Sequence, residues 1–270
     1  MLKLSERNHL IIITDAPGQL CNQLWSYSPF IAYAKKINAK LMICGFDKYK
    51  DLFPNLHDEP IITFCAPRLR FLARLVNKKI PQRLLRMINF DRGGVALIKS
   101  WDHIKPEIGF SDKYYIKKLF RLPSYGKTDV KRIGVHIRHG DYITWRRGRF
   151  FFDFETMALK ARELADRLFP DSEIEFAVAS NVRAEEFCKI NKRSIYYPNN
   201  SPLDDLGLLA SCDVILGPPS TFAMWASFYG NVALVFLLDA NQEMLGELPP
   251  YIIAQNKFSD GSRLMLDSDG

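Results

Sequence analysis

The sequence predicts an α/β protein of two domains, each built on a parallel sheet. Residues 133–238 alternate short apolar segments with segments of helical periodicity, and such repeated βα units form parallel sheets with right-handed crossovers. Residues 10–44 show the same pattern once. Between these regions, residues 123–129 (Pro-Ser-Tyr-Gly-Lys-Thr-Asp) are polar and rich in turn formers, which is typical of a linker. We therefore expect domains at 1–125 and 126–270.

The first domain opens with a β-loop-α-β unit. Consecutive β-branched residues predict the first strand, and the apolar face and terminal lysines of the next segment predict a helix. The loop between them lacks the G-x-G-x-x-G dinucleotide fingerprint. The elements expected here are a strand at 10–14, a loop at 15–21, a helix from residue 22, a strand at 40–44 and a helix at 111–120.

The second domain alternates more regularly. Pro218 and Pro219 stop one strand, and Ser220 or Thr221 is expected to cap the helix that follows. The predicted strands are 133–138, 173–179, 194–197, 213–217 and 232–238, and the predicted helices are 155–169, 182–190, 203–212 and 220–229.

Residues 134–142 (Gly-Val-His-Ile-Arg-His-Gly-Asp-Tyr) form an unusually polar strand end. Gly140 permits a tight turn directly after the strand. His136, Arg138, His139 and Asp141 are thereby delivered to the edge where open α/β sheets bind ligands. An Arg guanidinium at that edge is a planar fork of donors suited to a phosphate. The alternative is a strand end that is polar without a function.

The helix expected at 220–229 offers a second anion site. A strand, a Pro-Pro stop and two hydroxyl residues leave free backbone N–H groups at the start of the helix, with the helix dipole behind them. Together with Arg138, Ser220 and Thr221 could hold a diphosphate. The alternative is ordinary helix capping, which Ser and Thr perform in many proteins.

The net charge of +7 is concentrated in residues 66–99, which hold nine basic side chains and one acidic side chain, Asp91. Leucines and other aliphatic residues at helical spacing between the charges predict basic amphipathic helices. Such helices suit an anionic membrane surface or an acidic partner, whereas the alternative is a solvated helical face. The segment lacks the interleaved aromatic platform of single-strand binding, so no nucleic-acid partner is expected.

Hydrophobic content of 47% indicates a protein with a substantial core. No apolar run approaches the length that spans a bilayer, and the N-terminal residues lack the apolar core of a signal peptide. We expect a cytoplasmic protein, with a place at the inner face of the membrane if 66–99 docks there. The cysteines at 21, 44, 65, 188 and 212 are odd in number and lack metal-ligand spacing, so reduced, mostly buried thiols are expected.

Four segments resemble, in order and spacing, the motifs of the α1,2- and α1,6-fucosyltransferases. Residues 136–142 resemble the H-x-R-R-x-D-Y motif, and 205–225 resemble D-L-x-L-M-S-x-C…S-T-F-S-x-W. Residues 176–181 stand where that family has a strand ending in Ser-Asp-Asp, and 18–24 resemble G-G-L-G-N-Q-M. The resemblance covers residues 10–240 apart from the middle and is strongest to the bacterial α1,2-fucosyltransferases, within the α1,2/α1,6/protein O-fucosyltransferase superfamily.

This resemblance implies a GT-B-like fold, with two Rossmann-like doubly wound domains facing a cleft and a helical basic segment in the first. The N-terminal domain would lie on the acceptor side, and the C-terminal domain would bind a GDP-sugar. The implied reaction is inverting transfer of L-fucose from GDP-fucose to a hydroxyl of an oligosaccharide or lipid-linked glycan, in an α1,2 linkage to galactose. Neither a metal nor a cofactor is implied.

The resemblance also implies roles for individual residues. Arg138 corresponds to the Arg that binds the β-phosphate, and Asp141 beside it is the second catalytic candidate. His139 and Tyr142 are candidates for shaping the loop or touching the acceptor. The other implied donor contacts are His136 and Asp205 at guanine, Ser220, Thr221 and Phe222 at the diphosphate, and Gly18, Gln19 and Asn22 from the first domain.

The chain departs from the family pattern at three places. His139 replaces a second Arg, Gln19 and Cys21 replace two glycines, and the Asp-Asp pair becomes residues 180–181 (Ser-Asn). A His carries at most one charge and can be neutral at pH 7. These changes suggest a divergent member that uses another acceptor or another GDP-sugar.

One mechanistic question and two alternative functions stay open. No catalytic base is evident, and Asp141, Asp153 and Glu155 are all candidates. Residues 138–140 (Arg-His-Gly) also resemble the core of histidine phosphatases, but those enzymes need a later His and none follows His139. The second alternative function is that of a nucleotide-sugar-binding or glycan-binding protein without catalytic activity.

Overall fold

The computed structural model describes residues 10–66, 73, 94–101, 106, 110–126 and 129–248. The chain divides into two compact units, Met1–Arg121 and Leu122–Gly270. Each unit contains a sheet whose strand pairs are all parallel. The predicted class, an α/β fold with parallel sheets in two domains, is therefore confirmed. The acceptor-side and donor-side assignments of the two domains stay predictions.

In the first unit, four described strands form a sheet of order β3-β2-β1-β4. Helix α1 begins two residues earlier than predicted, because Gly18 turns the backbone with φ +50° and Gln19 then serves as an extended N-cap. Strands β3 and β4 were not predicted. The elements are β1 (Leu10–Ile13), α1 (Leu20–Lys36), β2 (Lys40–Ile43), β3 (Ile62–Phe64), β4 (Val95–Ile98) and α2 (Phe110–Leu119), with 3-10 turns at Lys50–Leu52 and Pro54–Leu56.

In the second unit, five strands form a sheet of order β7-β6-β5-β8-β9. All the elements predicted from the alternation are present, within three residues at each end. They are β5 (Lys131–Ile137), α3 (Phe154–Leu168), β6 (Ile174–Ser180), α4 (Glu185–Ile190), β7 (Ser194–Tyr196), α5 (Pro202–Ala210), β8 (Val214–Gly217), α6 (Thr221–Gly230) and β9 (Ala233–Phe236). Two 3-10 turns, Gly140–Ile143 and Trp145–Gly148, lie in the loop after β5.

Strand β5 is the centre of the second unit. Its apolar residues Ile133, Val135 and Ile137 are fully buried, and Met157 and Leu164 on one face of α3 belong to the same core cluster. The two residues that alternate with these apolar side chains are also buried, so both faces of the strand are covered, as is usual for a central parallel strand. A rigid strand therefore carries the polar residues that follow it.

The structure corrects the expectation of five reduced thiols. Cys44 and Cys65 form a disulfide, with their Cα atoms 4.7 Å apart. The two residues follow β2 and β3, which are parallel neighbours, so the ends of these strands place them side by side. The sequence prediction was wrong here because β3 was not predicted. Cys21, Cys188 and Cys212 are free.

The basic segment at 66–99 lies mostly outside the described residues, so its helices and its membrane docking stay predictions. Of the residues that the structure describes, none belongs to a helix long and apolar enough to cross a membrane.

Candidate functional site

A topological switch point lies at the centre of the second sheet. The chain leaves β5 toward β6 on one side, whereas β8 pairs with β5 on the other side. In doubly wound sheets, the crevice outside the carboxyl ends of two such strands is the usual ligand site. His136 and Arg138 come from the end of β5, and Ser220 follows the end of β8. The structure thus places side by side the two strand ends that the sequence analysis expected to share a ligand.

His136 joins these two strand ends. Its Nε2 lies 3.3 Å from Ser220 Oγ, and its ring stacks on Phe222, with centroids 5.1 Å apart and planes 19° from parallel. Burial, reinforced by the nearby Arg138 charge, lowers the pKa of His136 to about 3. The imidazole is therefore neutral at pH 7. A Cβ at Gly217 would lie 2.9 Å from the His136 carbonyl oxygen, so this close approach of β5 and β8 requires glycine.

Arg138 presents a cation at the same edge. Its Nη2 lies 2.9 Å from Asp141 Oδ1, and its guanidinium carbon lies 5.7 Å from the ring centre of Tyr142. The Arg138 side chain is 26% exposed and that of Asp141 is 59% exposed. Arg138 is thus not enclosed in the core with its partner. Asp141 holds one side of the guanidinium in place from the turn three residues later.

Tyr142 ties the loop after β5 to the loop after β8. Its hydroxyl donates to the Pro219 carbonyl at 2.6 Å, and the side chain is buried. Burial raises the pKa of Tyr142 to about 12, so the phenol remains a donor at pH 7. Gly140 makes the intervening turn with φ +63°. This contact fixes the distance between the Arg138 loop and the start of α6.

The start of α6 is capped by Ser220. Its Oγ accepts from the Phe222 backbone N–H at 3.1 Å, as the capping alternative requires. Thr221 is the first residue of α6 and is half-buried. Capping satisfies one backbone donor of the first turn, while the positive end of the helix dipole still lies beside His136.

His139 has a supporting position. Its backbone N–H donates to Asn181 Oδ1 at 2.8 Å, and Asn181 Nδ2 donates to the His139 carbonyl at 3.3 Å. The His139 ring Nε2 lies 2.8 Å from the Phe152 carbonyl, and the ring packs against Phe151 and Phe154. Two of the departures from the family pattern, His139 and Asn181, therefore contact each other and hold the loop.

One of the candidate bases has a structural role. Asp153 is the N-cap of α3 and accepts from the Thr156 backbone N–H at 2.8 Å. This hydrogen bonding lowers the pKa of Asp153, which weakens it as a proton acceptor.

Asp205 belongs to a separate group of contacts on α5. Asn200 Nδ2 donates to Asp205 Oδ1 at 3.0 Å. Burial raises the pKa of the nearby Tyr125, and the negative charges of Asp204 and Asp205 contribute to this rise. Burial raises the pKa of Asp205 to about 6. The carboxyl is therefore mostly ionised at neutral pH and protonated under mildly acidic conditions.

Two of the three predicted site residues of the first unit line a cavity of about 280 Å³. Gly18 and Asn22 line it, together with Asp15, Ala16, Pro17 and Trp101. Gln19, the third of these predicted residues, accepts a hydrogen bond from the Tyr49 hydroxyl at 3.0 Å. The sequence analysis did not identify Asp15 or Trp101 as site residues. An acidic residue two positions after β1 was the available signal for Asp15.

The chain is thus an α/β protein of two units. At the switch point of its second sheet lie the Arg138 cation and the start of α6. Neither a protein-family model nor a curated protein matches the chain. Solved structures do match it in fold. A NodZ α1,6-fucosyltransferase soaked with GDP-fucose has 16% identity and a TM-score of 0.54, over 85% of this chain and 95% of that chain.

Two further structures are similar in the same way. POFUT1 in complex with GDP has 12% identity and a TM-score of 0.53, over 90% of this chain and 98% of that chain. A substituted Arabidopsis thaliana FUT1 in complex with GDP has 11% identity and a TM-score of 0.54, over 90% of this chain and 73% of that chain. The chain therefore has the GT-B type of α/β fold found in fucosyltransferases. At sequence identities of 11–16%, the similarity to these structures shows the fold alone.

Proposed function

We propose that the protein is a glycosyltransferase that takes L-fucose from GDP-fucose. The observation that carries this proposal is the switch point of the second sheet, where the accessible Arg138 guanidinium and the capped start of α6 lie at one edge. A diphosphate is the group that a planar cation and a helix N-terminus can bind together. The fold supports the same conclusion, since similar structures were obtained with GDP-fucose and with GDP.

Arg138 is proposed to stabilise the leaving group. As the bond from fucose to the diphosphate breaks, negative charge develops on the β-phosphate of GDP. A guanidinium directed at that oxygen strengthens its contact in the transition state, and interactions of this type raise kcat. Asp141 would keep the guanidinium oriented, while the Ser220 end of α6 would offer backbone donors to the diphosphate.

His136 and Asp205 are proposed to contact the guanine base. A neutral His136 offers one ring nitrogen as an acceptor or a donor, and an ionised Asp205 can accept from the ring N–H and amino groups of guanine. Because burial keeps His136 neutral, the positive charge at the switch point comes from Arg138 and from the helix dipole.

The linkage and the course of the reaction are further parts of the proposal. We expect inversion at the fucose carbon and an α1,2 linkage to galactose, whereas NodZ is named as an α1,6-fucosyltransferase. Transfer is expected without a metal ion, since Arg138 and the helix start would offset the leaving-group charge. EDTA should leave turnover unchanged, and a strict requirement for Mn²⁺ or Mg²⁺ would contradict this part.

The proposal is tested by incubating the protein with GDP-fucose and a panel of galactosides, chito-oligosaccharides and lipid-linked glycans. GDP release that depends on an acceptor supports transfer, and NMR of the product gives its linkage and anomeric configuration. Replacing GDP-fucose by GDP-mannose tests whether transfer depends on the fucose group of the donor. GDP binding without turnover on any acceptor would favour a non-catalytic nucleotide-sugar-binding protein, and absence of GDP binding would refute the proposal.

A further inference from the structure

The first unit has a switch point of its own. Strand β1 pairs with β2 on one side and with β4 on the other, and the chain leaves β1 toward β2. The carboxyl ends of β1 and β4 therefore lie side by side, where doubly wound sheets bind ligands. The cavity of about 280 Å³ described above lies at this position, with Gly18 and Asn22 on the β1 side and Trp101 on the β4 side.

Asp15 joins the two strand ends into one rigid support. Its Oδ1 accepts from the Ser100 backbone N–H at 2.7 Å, and its Oδ2 accepts from the Trp101 backbone N–H at 3.0 Å. The Asp15 carbonyl also accepts from the Tyr27 hydroxyl at 2.7 Å. The backbone of Trp101 is thus fixed while its side chain stays 41% exposed beside the cavity.

The size and charge of the cavity restrict what it can hold. Pockets for drug-sized ligands enclose about 300–1,000 Å³, so about 280 Å³ suits one sugar ring better than a nucleotide. The six described residues that line it include one carboxylate and no Lys, Arg or His, which disfavours a phosphate. An exposed indole beside polar groups offers an apolar face to the C–H face of a pyranose, while the amide of Asn22 can reach hydroxyl groups.

We propose that this cavity binds one pyranose ring of the acceptor glycan, with Trp101 as the stacking platform and Asn22 as the polar contact. Asn22 would then contact the acceptor, whereas the family resemblance implies a contact with the donor. The assignment to an acceptor rests on the proposed function, whereas the sugar-binding chemistry of the cavity does not. Trp101 would then determine which acceptors the protein accepts.

The test measures glycan binding without a donor. Lactose and N,N′,N″-triacetylchitotriose serve as probes in saturation-transfer NMR and in calorimetric titrations, and GDP is titrated in parallel. Trp101→Ala should weaken binding of the preferred probe about tenfold, which is the upper range for loss of an aromatic contact, and leave GDP binding unchanged. Trp101→Phe should recover part of the affinity. Tyr114→Ala removes a 75% exposed aromatic side chain elsewhere in the same unit and is the matched control.

The possible outcomes separate this inference from the proposed function. If a folded Trp101→Ala variant binds GDP and keeps its glycan affinity, the sugar-site inference is overturned and the proposed function still stands. Loss of glycan binding in that variant, in a protein that does not bind GDP, would support the sugar site and overturn the donor proposal. If Trp101→Ala instead raises KM for GDP-fucose and leaves the acceptor kinetics unchanged, the cavity binds the donor sugar and the acceptor assignment is overturned. Binding of neither probe by the wild-type protein would also overturn it.

Discussion

Replacement of Arg138 by Ala tests the centre of the proposed mechanism. If the guanidinium binds the β-phosphate of the leaving group, its removal takes away one preorganised donor. Losses of this kind lower kcat by about 10²–10³, or about 3–4 kcal/mol of transition-state stabilisation. Arg138→Lys should recover little of this, because an ammonium keeps the charge but lacks the planar fork.

The same substitution should have little effect on folding. The contacts that it removes are the ion pair with Asp141, in which the side chains are 26% and 59% exposed, and the approach of the guanidinium to the Tyr142 ring. Ion pairs this accessible to water contribute about 0–1 kcal/mol to stability. The structure therefore predicts a large loss of activity with a small loss of stability, which a purely structural Arg would not give.

The matched control is Arg193→Ala. Arg193 forms an ion pair with Glu173 at 2.6 Å, with side chains 64% and 60% exposed, at the amino ends of β6 and β7. It lies at the opposite edge of the same sheet, so its loss should leave turnover unchanged. Urea unfolding gives the stability of both variants, and acceptor-dependent GDP release gives kcat. An Arg138→Ala protein that is folded and binds GDP but retains more than about a tenth of wild-type turnover would refute the donor role, because that loss is under about 1.4 kcal/mol.

Three further predictions concern Tyr142, Asp205 and the Cys44–Cys65 pair. Tyr142→Phe removes the buried hydrogen bond to the Pro219 carbonyl and should lower the free energy of unfolding by about 1–2 kcal/mol in urea, with weaker GDP binding in calorimetry; unchanged values of both would contradict it. Burial raises the pKa of Asp205 from 3.8 to about 6, so its carboxyl contributes stability at acid pH that is lost as the pH rises through about 6. Asp205→Asn should therefore gain stability over the wild type between acid and neutral pH, and a stability difference that does not change with pH would exclude this. With Cys44 and Cys65 paired, thiol titration of the denatured, unreduced protein should find three free thiols, whereas five would show that the pair is reduced.

The longer elements could be predicted because their residue pattern alone determines them. Helix α3 has an apolar face that recurs over four turns, and β5 has β-branched residues at three alternate positions, so each was placed within two residues of its observed bounds. Strands β3 and β4 have only three and four residues. A segment that short has no clear period, and its strand conformation comes from pairing with neighbours distant in sequence.

The site was predictable to the extent that it follows directly from strand ends. His136 and Arg138 lie at the end of one recognisable strand, and Ser220 follows the Pro-Pro pair that stops another. A parallel sheet places those two strand ends at one edge. The contact between Asp15 and Trp101 depends instead on β4 pairing with β1, across 86 residues of sequence. The Cys44–Cys65 disulfide likewise depends on the pairing of β2 with β3. Residues joined through an unpredicted strand could not be brought together from the sequence.

The two switch points differ in charge, and this difference is the basis for giving them different ligands. The second sheet presents Arg138 and the start of α6 at its switch point, so an anionic diphosphate would be stabilised there by both the side chain and the dipole. The cavity of the first sheet has Asp15 and an exposed Trp101 among its described lining residues, which would repel a phosphate and accept a neutral ring. A transferase that joins a nucleotide-linked sugar to a neutral glycan needs one site of each kind. The loss of leaving-group stabilisation in Arg138→Ala and the loss of glycan binding in Trp101→Ala should therefore be separable. Arg138→Ala should leave glycan affinity intact, and Trp101→Ala should leave GDP affinity intact.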